Sequence, residues 1–78
     1  MPSKTTKPVK PKSFAELLRQ IRTDRSQSQE QAAKRVGVAR ITWTYWERGQ
    51  KPRYANLARI AKWSGIGVGD LAKMLSLS

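Results

Sequence analysis

Two residue types are missing from this chain altogether: it has no cysteine and no histidine among its 78 residues. Without cysteine there is no disulfide to staple a small core and no thiolate to hold a metal. Without histidine the commonest general base and the commonest metal ligand are gone as well. Acid is scarce, since Glu16, Asp24, Glu30, Glu47 and Asp70 are the five carboxylates and they are spread along the chain rather than paired. There is no glycine-rich phosphate loop and no nucleophile beside a plausible base, so the expectation is a protein that is not an enzyme and uses no metal or cofactor. No apolar run approaches a membrane span, and residues 1–12 lack the apolar stretch of a signal peptide. Those absences point to a cytoplasmic, nucleoid-associated protein. No stretch alternates apolar and polar residues as a half-buried strand does, and no internal repeat is present.

What the chain has is positive charge. Sixteen lysines and arginines against five acids give a formal charge of +11. A field of that sign attracts polyanions, with nucleic acid first and acidic membrane second. Residues 1–12, MPSKTTKPVKPK, hold four of the lysines and three prolines but no acid. Proline blocks helix and favours extended backbone, so this segment is expected to be a disordered basic arm, with Lys10 and Lys12 against phosphate. The plainer reading is a solubilising tail or a cloning remnant. Residues 13–78 form the single domain, and twelve basic residues keep it basic without the arm.

The body reads as five short helices. Phe14, Leu17, Leu18 and Ile21 recur at helical spacing behind the capping box Ser13/Glu16, which predicts a helix over about 13–24. A second box, Ser28/Gln31, opens a helix over about 29–36 with Ala32, Ala33 and Val36 inward. Gly37 stops it in the left-handed conformation that glycine adopts without steric cost. A third helix over about 39–47 begins two residues later, and a short helix, a glycine turn and an abrupt second helix is the helix-turn-helix pattern. Leu57, Ile60 and Ala61 mark a fourth helix, about 54–63, stopped by Gly65 with Ile66 packing behind it. Val68, Leu71, Met74 and Leu75 mark a fifth, about 68–75.

The third helix carries the segment ARITWTYWERG and raises the question of where its aromatics go. At one hundred degrees per residue, Trp43 and Trp46 share a face with Ala39 near it. That spacing makes both tryptophans core. Ile41, Thr44, Tyr45 and Arg48 fall on the opposite side, with Arg40 at the exposed N-terminal end. A cation, an aliphatic group, a hydroxyl and a phenol on one helix face form a set suited to reading bases. Arginine takes guanine O6 and N7 in a fork, and an apolar group meets a thymine methyl. An exposed tyrosine alone means little, but an isoleucine beside arginine is hard to explain as solvated surface.

Residues 14–71 resemble the Cro/C1-type helix-turn-helix domains of lambdoid phage repressors and xenobiotic-response-element regulators. The resemblance rests on Gln29-Glu30-Gln31-Ala32-Ala33, Val36-Gly37-Val38 and Trp46-Glu47-Arg48-Gly49, with Leu57, Ile60-Ala61-Lys62 and Gly65-Ile66 behind them. It implies an all-α, compact five-helix, lambda repressor-like bundle. It places Arg40, Ile41, Thr44 and Tyr45 against bases, Gln29 against the backbone or the outer bases, and Arg48, Lys51 and Arg53 against phosphates; Thr42 is a further phosphate candidate. It pairs Arg22 with Glu47 as a structural ion pair between the first and third helices. The chain departs from the pattern at Ser26 and Gln27, where glycine and leucine are usual, and at Ala32, where leucine is usual. Ala39 stands in place of a serine cap, and Trp63-Ser64 reverses a small-then-leucine pair. Apolar volume is thereby lost at Gln27, Ala32 and Ser64, which the three tryptophans are expected to restore elsewhere.

The function expected from these readings is a sequence-specific, double-stranded DNA-binding transcriptional regulator, acting by default as a repressor that occludes a promoter. The resemblance implies a homodimer on a near-palindromic operator, with Met74, Leu75 and Leu77 as the candidate interface. Two other readings remain open. One is the antitoxin half of a toxin–antitoxin pair, with a protein partner. The other is a basic adaptor that binds protein or RNA, with Ile41 and Tyr45 as the contact patch. A membrane-active peptide fits poorly, because capped helices separated by glycine turns suit a bundle.

Overall fold

The computed structural model describes residues 13–77, so the basic arm expected over 1–12, with Lys10 and Lys12, lies outside the described residues. Five helices follow one another: α1 (Phe14–Asp24), α2 (Gln29–Val36), α3 (Arg40–Glu47), α4 (Tyr54–Ser64) and α5 (Val68–Leu77). Among the described residues there is no strand, and no helix is long and apolar enough to cross a membrane.

The helix ends follow from local chemistry. Ser13 stays extended and its Oγ accepts from the Glu16 N–H. At Ser28 both halves of the box form: Oγ accepts from Gln31 N–H at 3.1 Å, and Gln31 Oε1 accepts from Ser28 N–H at 2.8 Å. A cap residue keeps extended backbone, which is why α1 begins at Phe14 and α3 at Arg40 rather than one residue earlier. Gly37 closes α2 at φ +96°, and Gly65 closes α4 at φ +81°. Their N–H groups donate to the Ala33 and Ala61 carbonyls, satisfying two terminal acceptors. α5 runs two residues past the expected end at Leu75, and inside that extension Ser76 Oγ donates back to the Lys73 carbonyl.

α3 packs against both α1 and α2, α4 against α2 and α5, and α5 returns to α1. Trp43 sits at the centre with no exposed surface. Its ring lies 5.8 Å from Trp46 and 5.1 Å, edge-on, from Trp63. Each such pair adds about 0.5–1.5 kcal/mol beyond the area it buries. The three indoles therefore tie α3 to α4, supplying apolar volume that the sequence lacks elsewhere. Ala32 is fully buried, so no gap opens to solvent there.

Two of the departures leave a visible mark. Ser26, where glycine is usual, still adopts φ +55°, the left-handed turn that an L side chain enters at a cost of about 1–2 kcal/mol. Gln27 is half-buried, and its Oε1 is buried with no hydrogen-bond partner among the described residues. Trp63 Nε1 is orphaned in the same way. A buried polar atom left unpaired costs about 1–3 kcal/mol.

Candidate nucleic-acid interface

The third helix is held from behind by one carboxylate. Glu47, its last residue, is buried. Arg22 of α1 reaches it with a fork: Nε donates to Oε2 at 2.6 Å and Nη2 to Oε1 at 3.1 Å. Trp43 Nε1, one turn back on α3, donates to Oε2 at 2.5 Å, and Gln29 Nε2 at the head of α2 donates to Oε1 at 3.1 Å. Arg19 adds a longer ion pair at 3.6 Å from an exposed position. Burial works to raise the Glu47 carboxyl. The hydrogen bonds of Arg22, Trp43 and Gln29, with the charge of Arg22, outweigh it and hold the group below the ordinary carboxylate range. One side chain thus joins α1, α2 and α3.

With Trp43, Trp46 and Glu47 committed to the interior, the opposite side of α3 is largely exposed among the described residues. Ile41 is 57% exposed and Tyr45 44% exposed, beside exposed Arg40 and Arg48. Thr42 and Thr44 are half-buried. The Thr44 hydroxyl is 3.0 Å from the Arg40 carbonyl, to which it donates, and 3.4 Å from Gln29 Oε1. Gln29 is therefore brought to Thr44 and Glu47, and its amide braces the head of α2 against α3 while its other N–H stays uncommitted.

The α3–α4 loop adds cations beside this face. Gly49 turns the chain at φ +111°, Pro52 is buried and pins the loop, and Arg48, Lys51 and Arg53 are exposed. Neither Ala39 nor Arg53 makes a side-chain cap, so no side chain occupies the first-turn N–H groups of α3 and α4. Such groups favour anions. Met74 and Leu75 are half-buried against the core on α5, of which Leu77 is the last residue.

Several contributors were not singled out in the sequence. Tyr54 opens α4 beside Arg53 and is 72% exposed, more than any other large hydrophobic side chain described. Its signal was an aromatic in a basic loop, KPRY. Arg25 donates to the Trp63 carbonyl at 2.7 Å and stands 4.9 Å over the Trp63 ring, closing the C-terminal end of α4. The partner lies 38 residues away, and no local pattern announces it. Trp43 as a donor to Glu47 had a readable signal, a tryptophan four residues before an acid on one helix.

A helix-turn-helix domain family model matches residues 13–76, from the cap of α1 to the penultimate residue of α5. The chain is 30% identical over 59 residues to the cryptic phage CTXphi transcriptional repressor RstR of Vibrio cholerae. That alignment covers 74% of this chain and 53% of the relative, so the chain spans about half of the relative's length. No solved structure gives a significant match. With five helices, the short α2–Gly37–α3 turn and a match over nearly all of the described residues, the chain belongs to the helix-turn-helix domain family and is a DNA-binding domain of the Cro/C1 type.

Proposed function

We propose that the chain is a sequence-specific double-stranded DNA-binding transcriptional regulator, a repressor that works as a dimer on a near-palindromic operator. The observation that carries the reading is the two-sidedness of α3: Trp43, Trp46 and Glu47 are sealed in the core, while Ile41 and Tyr45 stand exposed among arginines. In the proposed complex α3 enters the major groove and α2 crosses the backbone. Arg40 takes a guanine edge, Ile41 a thymine methyl, and Tyr45 and Thr44 the neighbouring edges. Gln29 holds α2 in register with α3 and offers its remaining N–H to the outer bases or the backbone. Thr42, Arg48, Lys51 and Arg53 hold phosphates, and Lys10 and Lys12 of the arm extend that grip; phosphate contacts supply salt-dependent affinity and no sequence information. The dimer forms through α5, with Met74, Leu75 and Leu77 as its contacts. The repressor role is supported by the name of the phage relative.

The test is selection of bound duplexes from a randomised library at near-physiological salt. An enriched inverted repeat, with half-sites about one helical turn apart, is the expected result. Tyr45→Ala and Arg40→Ala then relax preference at particular positions of that repeat. Equal losses on selected and scrambled duplex for both variants would remove these residues from the reading set, and a library that yields no motif would sink the regulator reading.

A further inference from the structure

A second cationic site lies away from α3. The α1–α2 turn, the C-terminal end of α2 and the C-terminal half of α4 enclose a cleft of about 510 Å³ lined by Arg25, Gln27, Arg35, Val36, Arg59, Lys62 and Trp63. Four of these seven carry positive charge and none is acidic. None belongs to α3 or to the loop after it, and Arg35 stands at the opposite end of α2 from Gln29. The volume falls in the range of small-ligand pockets, which is about 300–1,000 Å³.

The four cations divide into two kinds. Arg25 and Arg59 are fixed by backbone carbonyls: Arg25 by those of Trp63 and Ser64, and Arg59 by that of Gly37 at 3.2 Å. Arg35 and Lys62 are exposed and have no hydrogen bond or ion pair among the described residues. Like charges gathered around one concavity repel each other. A cleft lined by one sign of charge also concentrates counter-ions, because its low-dielectric walls focus the field. Trp63 adds an indole wall, and its buried Nε1–H has no acceptor among the described residues. Guanidinium forks match the paired oxygens of phosphate and carboxylate groups.

We infer that this cleft is a binding site for a small polyanion bearing two or more phosphate or carboxylate groups, held by Arg35 and Lys62 against the fixed guanidinium groups of Arg25 and Arg59. The site is independent of the reading face in its residues. Arg59 links it to the turn between α2 and α3, where it holds the Gly37 carbonyl.

The experiment is a nuclear magnetic resonance titration of the full chain, following the three indole N–H signals, with Trp63 assigned by Trp63→Phe. Pyrophosphate and citrate are the two probes, at constant ionic strength. The expected result is a saturable shift of the Trp63 signal with at least one probe, and a loss of affinity of about tenfold or more in Arg35→Gln/Lys62→Gln. Which probe binds more tightly tells phosphate from carboxylate chemistry. Arg40→Ala binds the probe as the wild type does. A linear, unsaturable drift, or a double variant that binds as tightly as the wild type, would overturn the site. So would a poly-glutamate peptide or a scrambled duplex that moves the Trp63 signal when neither small anion does, since the cleft would then be a protein or DNA contact. None of these readouts depends on operator recognition, so failure here leaves the proposed regulator role to its own test.

Discussion

The Glu47 carboxylate is the place where one atom change should do the most damage. It is buried, it receives a charged fork from Arg22, and it also accepts from Trp43 and Gln29. Arg22→Met leaves the buried carboxylate with two neutral donors and, for charge, the longer contact of the exposed Arg19, and Glu47→Gln turns an amide N–H₂ toward a guanidinium that is itself only 15% exposed. Breaking one side of such a pair costs about 3–5 kcal/mol in well-buried cases. The remaining donors around Glu47 soften the loss, so each single variant is expected to lose about 3 kcal/mol. The double variant Arg22→Met/Glu47→Gln removes both charges and keeps an amide oxygen for Trp43 Nε1, so it is expected to lose only about 2 kcal/mol in total, because a buried pair replaced together is often near neutral. The coupling is then about 4 kcal/mol, where independent sites add to within about 0.5 kcal/mol. A domain of this size holds on the order of 4–10 kcal/mol in all, so the singles are best measured in the cold, by urea unfolding at neutral pH. Tryptophan fluorescence reads the transition directly, since Trp43 is a partner of the carboxylate. Additive single losses, or singles within about 1 kcal/mol of wild type, would show that α3 is not anchored through this group.

Three other outcomes are expected. Because the fold holds the Glu47 carboxyl below its ordinary range, its stabilisation is complete above the ordinary carboxylate value and is lost as pH falls through the lowered one. Urea midpoints should therefore drop on acidification across that window, and less steeply in Glu47→Gln; parallel curves would contradict the linkage. Gln27→Leu removes an orphaned acceptor and adds apolar burial, and Ser26→Gly relieves a left-handed serine, so each should raise stability by about 0.5–1.5 kcal/mol in thermal melts. A fall in either case would mean that the side chain has work the geometry does not show. Lys51→Ala should weaken all duplexes alike and lower the magnitude of the log–log salt slope by about 0.9; an unchanged slope would take Lys51 out of the phosphate set.

The parts of the fold that were legible in the sequence are those with local causes. Ser13, Ser28, Gly37 and Gly65 act on neighbours three or four residues away, so the helix ends were readable to within a residue or two. The inward turn of Trp43 and Trp46 followed from their spacing, as did the outward turn of Ile41 and Tyr45. What could not be read were the contacts made by long flexible side chains across the chain. Arg25 spans 38 residues to reach Trp63, and Gln29 spans 18 to reach Glu47. Periodicity says which face a residue occupies and nothing about which distant atom it meets. The Arg22–Glu47 geometry came from the family resemblance alone. The cleft beside Trp63 was missed because its cations come from three separate elements, each of which looks like ordinary solvated charge when read singly.

The separation of the two sides of α3 has a consequence for how such a protein changes over generations. Arg40, Ile41 and Tyr45 sit on the exposed side, apart from the indole cluster and the Glu47 hub. Exposed substitutions of that kind usually move stability by no more than about 0.5 kcal/mol. Three of the proposed base contacts are then free to vary without penalty to the scaffold, while Thr44 is tied to Gln29 and the Arg40 carbonyl, and Gln29 to Glu47. On the proposed reading, a new operator preference is reachable one substitution at a time with each intermediate still folded, so that the domain would serve as a reprogrammable module rather than a lock cut for one key.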